Sequence, residues 1–230
     1  MKEENIKGLK GIFCFLTWFI VTRYGTLFLG VFGLTIDYLP TISKQGYSIL
    51  LELITIYVIY ALFKKDIIRM INDFKKNNQQ YFKKYFKNWF LILILMAVTN
   101  AIIMFINKGN TPNNQDAIND MFKNMPIYTF IVSVMLAPVV EELVFRFSLR
   151  NIFNNKILFI LLSGIVFGSF HVIGSFETAL DLLYIIPYSI PGIIFAYTYV
   201  KSKNIFVPMW LHFCHNGIMM SIQFIILLFS

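Results

Sequence analysis

Charge is what this sequence has least of. Asp, Glu, Lys and Arg make up 14% of its 230 residues, well under the roughly 25% of a soluble domain. Against that, 57% of residues are hydrophobic and the mean hydropathy is +0.67. A soluble globular domain is excluded. Cysteine is nearly absent too: Cys14 and Cys214 both lie in apolar runs, so no disulfide framework is expected. Cys214 stands two residues after His212, which turns it to nearly the opposite helix face, where a thiol with no cationic partner is inert. Only three histidines occur, His171, His212 and His215, and the H-E-x-x-H pattern of zinc proteases is missing. The N-terminus has a basic start and an apolar run but no small-residue cleavage site, so a retained first span is expected.

What the chain does have is apolar runs of membrane-crossing length. They fall at 11–36, 47–63, 89–106, 125–153, 157–176, 180–200 and 205–229. Backbone polar groups in lipid must be satisfied within the segment, so the expected fold is all-α: a polytopic transmembrane bundle of about seven spans in the cell membrane. The net charge of +8 lies mostly between these runs, which reads as topology and not as nucleic-acid binding; no nucleic-acid partner is expected. With a cytoplasmic N-terminus, sixteen of the twenty Lys and Arg residues fall on the inner side. Eight of them lie in 64–87, against Asp66 and Asp73, and Ile67, Ile68, Met70, Ile71 and Phe74 give that segment an apolar stripe. It should lie as a helix on anionic headgroups. Arg23, inside the first run, either pairs with Glu52 or snorkels to the interface. The chain divides at 124: N-terminal helices with the basic segment 64–88, then a four-helix core, 125–230.

That core carries the unexpected polar residues. Within APVVEELVFRFSLR at 137–150, Glu141, Glu142 and Arg146 sit in an apolar helix, where each charge costs roughly 2.5–3.5 kcal/mol on insertion scales. Glu142 and Arg146 are four apart and share a face, while Glu141 points about 100° away. Pro138 removes an N–H and leaves the carbonyl of Val134 without its donor. His171 follows a G-x-x-x-G at Gly164 and Gly168, which permits close helix approach. With a tight turn at 154–156, Glu141 and His171 come to nearly the same depth in a helical hairpin. His212 and Asn216 are four apart on the last run, with His215 about 60° from the direction of His212.

These residues suit hydrolysis. A carboxylate in a dry site takes a proton from water and returns it to a leaving amine, an imidazole orients that water, and a second imidazole with an amide donates to the oxyanion. Glu with two His would alternatively hold zinc, but Arg146 beside the carboxylates opposes a cation; no metal or other cofactor is expected.

EELVFR at 141–146, FGSFH at 167–171 and HFCHN at 212–216 read as E-E-x-x-x-R, F-x-x-x-H and H-x-x-x-N. In this order on successive spans, over about 125–229, the chain resembles the CAAX protease and bacteriocin-processing (Abi) family. The resemblance implies an intramembrane endopeptidase with a buried, cytoplasm-accessible site. It implies that Glu141 and His171 activate water, that His212 and Asn216 stabilise the oxyanion, and that Glu142 and Arg146 support them. Members are described both as metalloproteases and as metal-independent glutamate proteases; the charge argument favours the second. The implied substrate is a membrane-associated peptide or small protein, as in bacteriocin or pheromone processing. The rival expectations are a non-proteolytic immunity or scaffold protein that retains the polar core, and a proton-relay transporter, for which no inverted repeat is visible. The sequence leaves the oligomeric state open.

Overall fold

The computed structural model describes residues 2–109 and 113–229; part of the GNTPNN stretch, residues 110–112, lies outside them. The described chain is helical and contains no strand: α1 (Lys2–Tyr24), α2 (Thr41–Ile106), α3 (Asn113–Asn124), α4 (Pro126–Ile152), α5 (Lys156–Val172), α6 (Ala179–Ser202) and α7 (Phe206–Phe229). Four of these, from α1, α2, α4 and α6, are long and apolar enough to cross a membrane.

Three of the expected spans differ in outline. The first run does not continue to residue 36: α1 ends at Tyr24, and a short helical turn (Leu27–Gly30) leads to Gly33, whose φ of +69° suits glycine. Arg23, at that end, is exposed, with its guanidinium 5.8 Å from the Phe170 ring, and among the described residues it makes no ion pair with Glu52.

The second and third runs, with the basic segment between them, form one helix of 66 residues. Straight, a helix of 66 residues would measure ~100 Å, at ~1.5 Å per residue. Its contacts show that it folds back. Near its start Tyr47 Oη donates to the Gly25 carbonyl (2.6 Å), and just past its end Asn107 Nδ2 donates to Asp181 (3.0 Å). Both lie at one end of the bundle, since a Cβ on Gly174, in the loop before α6, would lie 3.6 Å from Arg23 Nη1. The middle of α2 meets the opposite end: Lys10 Nζ donates to the Leu62 carbonyl, and Asn204 Nδ2 to the Met70 carbonyl and to Asp73. Phe63, at φ −125° and ψ 23°, is a kink in that path. The expected headgroup segment is therefore a continuous helix across the end of the bundle that carries the N-terminus.

α5 and α6 pack closest. A Cβ on Gly164 would lie 2.8 Å from Ile193 N, and one on Gly192 2.7 Å from Gly164 Cα. The G-x-x-x-G is a contact face.

Candidate active site

α4 is not a uniform α-helix. Val132–Leu136 and Glu142–Ser148 are π-helical, and Ser148 Oγ donates to the carbonyl of Leu143, five residues back, at 2.9 Å. Such wide turns are rare and concentrate at functional sites. The first one changes which carbonyl Pro138 strands. At π spacing the donor to Ser133 would be residue 138, a proline with no N–H. Asn216 Nδ2 donates to the Ser133 carbonyl at 2.8 Å. The orphan is therefore Ser133, not Val134, and α7 supplies its partner.

The second wide turn carries the charged residues, all seven of its side chains buried. Arg146 and Glu142 are 0% exposed, with Nε 3.3 Å from Oε2. The guanidinium lies 4.3 Å from the Phe167 ring centroid and 5.6 Å from that of Phe195. Aromatic faces thus supplement its single carboxylate partner. The other oxygen of Glu142, Oε1, is 3.0 Å from His212 Nδ1. A carboxylate held by an arginine only accepts, so Nδ1 carries the proton and Nε2 is the variable atom of this imidazole. Nε2 faces Glu141 Oε2 at 3.6 Å. The ring itself is fixed by stacking on Phe195, at 4.9 Å between centroids and 28° between planes. Arg146, Glu142, His212 and Glu141 form a line of alternating partners from the buried interior outwards.

His171, in the last turn of α5, bonds the Phe167 carbonyl through Nδ1 at 2.9 Å. That carbonyl also only accepts, so Nε2 of His171 is left as a lone-pair acceptor. The ring stacks on Tyr188 at 4.9 Å and 23°. Asn155 caps the turn between α4 and α5, accepting from the N–H groups of Ile157 and Leu158, where the sequence placed it.

Glu141, His171, His212 and Asn216 all line one cleft of about 1010 Å³, while Glu142 and Arg146 lie behind its wall. The six residues singled out from sequence therefore gather, but with a different pairing: His212 faces both glutamates. His215, left out of the sequence-based site, also lines the cleft, with a buried Nδ1 that has no hydrogen-bond partner among the described residues. Its helical direction, close to that of His212, was the available signal. Tyr188, the stacking partner of His171, carried no such signal. Among the described residues, no group of three His, Cys, Asp or Glu side chains is arranged to hold a metal ion. Chemically, the cleft offers a carboxylate and a bare imidazole nitrogen on one side, and an imidazole and an amide on α7.

Residues 123–218 match the family model described as type II CAAX prenyl endopeptidase Rce1-like. Among curated proteins, the chain is 27% identical over 139 residues to the putative membrane peptidase YdiL of Bacillus subtilis, covering 59% of this chain and 53% of that protein. It is 27% identical over 168 residues to the UPF0177 protein YvdC of Lactococcus lactis, covering 71% of this chain and 60% of that protein. It is also 27% identical over 212 residues to the membrane-embedded CAAX protease MroQ of Staphylococcus aureus, covering 83% of this chain and 82% of that protein. The chain thus spans about half of the Bacillus relative and three fifths of the Lactococcus one. No solved structure matches it at comparable significance.

Proposed function

We propose that this chain, which belongs through residues 123–218 to the Rce1-like family, is a multi-pass cell-membrane peptidase of the glutamate type. Its substrate is a membrane-associated peptide or small protein, in the class of exported bacteriocins or peptide pheromones. The observation that carries the reading is the convergence of Glu141, His171, His212 and Asn216 on one cleft, with the buried Glu142–Arg146 pair set behind His212.

In this reading a water lies between Glu141 and Nε2 of His171. Glu141 takes its proton as the oxygen adds to the scissile carbonyl carbon. The proton passes on to Nε2 of His212, 3.6 Å from Glu141, while Nδ1–H stays on Glu142. The imidazolium so formed donates to the new oxyanion. Asn216 uses one amide hydrogen on Ser133 and has a second for the same oxygen. Collapse of the tetrahedral intermediate breaks the C–N bond, and the proton returns to the leaving amine. Arg146 neutralises Glu142, which keeps that carboxylate an acceptor and the His212 ring in one orientation. Outside the cleft, the basic middle of α2 lies on anionic headgroups.

The test is Glu141→Gln, which removes the base and keeps the shape. Loss of a cleaved peptide with accumulation of its precursor supports the reading; unaltered processing at equal protein level contradicts it.

A further inference from the structure

A second recess, of about 410 Å³, shares no lining residue with the cleft. Its size falls within the roughly 300–1,000 Å³ of small-molecule sites. It lies between the first turns of α1, the last turn of α4, the turn that follows it and the end of α6. Lys7, Arg150, Lys156 and Lys203 line it, against Glu4 as the one carboxylate among its lining residues. Lys7 also pairs with Glu3 at 3.3 Å, and Asp66, which reaches Tyr199 electrostatically, is paired with Arg69 at 2.9 Å. Topology alone asks for cations on one side of a bilayer; it does not ask that cations from three helices and a turn face one recess.

Two of these cations are held in place. The Arg150 guanidinium lies 5.8 Å from the centroid of the wholly buried Phe159 ring, against which Tyr199 packs edge-on at 6.4 Å and 74°. Arg150 Nη1 donates to the Phe153 carbonyl at 2.6 Å. That bond takes one of five guanidinium N–H groups, and among the described residues Arg150 forms no ion pair. Lys203 has a φ of +57°, where the backbone favours glycine, and its N–H donates to the Tyr199 carbonyl at 2.8 Å. The next residue, Asn204, is 1% exposed and anchored to Met70 and Asp73, so the turn that carries Lys203 is fixed. The start of α5 adds little, because Asn155 already accepts from the N–H groups of Ile157 and Leu158. Binding at the recess falls to the side chains.

A fixed guanidinium flanked by lysines suits a phosphate, whose oxygens accept from the arginine fork and from ammonium groups together. Ile6 and Leu9 on α1 and Ile157 and Leu158 on α5 are exposed on the same turns. The recess therefore sits where apolar surface gives way to charge, the level at which phospholipid headgroups lie. We propose that it binds a phosphate group, carried by a phospholipid headgroup or free in solution, with the flanking apolar surface favouring the lipid. Such a site requires neither turnover in the cleft nor a particular orientation of the bundle in the bilayer.

The experiment titrates the full-length protein in neutral detergent, at fixed ionic strength, with phosphatidylglycerol, phosphatidylcholine or inorganic phosphate, reading bound ligand by native mass spectrometry. The wild type should bind phosphatidylglycerol in preference to phosphatidylcholine. Arg150→Gln should weaken that binding about tenfold or more, as loss of a charge-assisted hydrogen bond does. Should that variant fail to fold, Lys156→Gln with Lys203→Gly takes its place, since Lys156 is exposed and glycine suits the left-handed turn. The control is Lys75→Gln with Lys76→Gln, which removes two exposed charges from the middle of α2 and should leave the affinity unchanged. Binding of inorganic phosphate with the same sensitivity to the recess variants, and none of phosphatidylglycerol, would keep the site and make its occupant a soluble phosphate. Affinity unaltered by the recess variants, or lowered as much by the α2 pair, would overturn the proposal and leave only diffuse attraction to a basic surface.

Discussion

Nδ1 of His212 lies 3.0 Å from Oε1 of Glu142, and the other oxygen of that carboxylate lies 3.3 Å from Nε of Arg146. One glutamate, wholly buried, therefore fixes both the tautomer of an imidazole and the position of a guanidinium whose only ion pair among the described residues is with it. The arrangement places a wholly buried carboxylate, Glu142, one residue from Glu141, the carboxylate that faces the cleft.

Removing Glu142 should be severe. Glu142→Gln leaves Arg146 buried without a counter-ion, and breaking a buried pair in this way costs roughly 3–5 kcal/mol. A large fall in thermal stability of the detergent-solubilised protein is expected. Glu142→Gln with Arg146→Met removes both charges and should recover most of that stability while His212 remains unanchored and turnover stays low. Recovery of turnover in the double variant would contradict the anchoring role.

Asn216→Ala removes the only donor described for the Ser133 carbonyl. A fully buried unsatisfied carbonyl costs about 1–3 kcal/mol, and the half-buried Ser133, which lines the cleft, should lose less. In the proposed mechanism the same change removes an oxyanion donor, worth ~10²–10³ in kcat. Both losses should appear, the first in unfolding and the second in single-turnover rates; a variant that loses stability alone would assign Asn216 a purely structural part.

Gly164→Val should separate α5 from α6. Even a bare Cβ there would come within 2.8 Å of Ile193 N, backbone that cannot swing away. Reduced thermal stability, with activity lost in proportion, is the expected outcome, whereas Gly46→Ala, which meets nothing within 4 Å, should be tolerated.

These cases also show what could be seen in the sequence. The Glu142–Arg146 pair followed from a four-residue spacing that survives the wider turn, and counting outwards from Asn155 placed Glu141 and His171 on hairpin arms that do line one cleft. The close face of α5 was written in Gly164 and Gly168. The π turns were not legible, because a one-residue change of helical register leaves no compositional mark; Pro138 signalled an orphan carbonyl but not which one. The fold-back of α2 was hidden for a related reason. Residues 64–87 contain no Gly or Pro, so nothing between the two apolar arms announces whether the chain breaks or bends. The pairing of His212 with both glutamates needed the third dimension.

Asp73 provides a pH-dependent test outside the membrane-spanning segments. Tyr81 Oη and Asn204 Nδ2 both donate to its carboxylate, with Asn77 on the other oxygen. These hydrogen bonds hold its pKa below the ordinary 3.8. A depressed carboxyl stabilises the fold above its unfolded value and loses that contribution as pH falls through the folded one. Asp73→Asn should therefore unfold at lower temperature than the wild type at neutral pH, and the gap should close in acid below the ordinary value. A gap that persists undiminished in strong acid would show that charge on Asp73 is irrelevant.

Glu141 is proposed as the base that activates water for hydrolysis of a peptide bond. Membrane-bound and secreted peptides should be compared between cells carrying the wild type and cells carrying Glu141→Gln, at equal protein level. The account predicts one peptide whose cleaved form disappears and whose precursor accumulates in the variant. Identical peptide profiles, with any immunity phenotype also unchanged, would contradict it and favour a scaffold that keeps the polar core without using it.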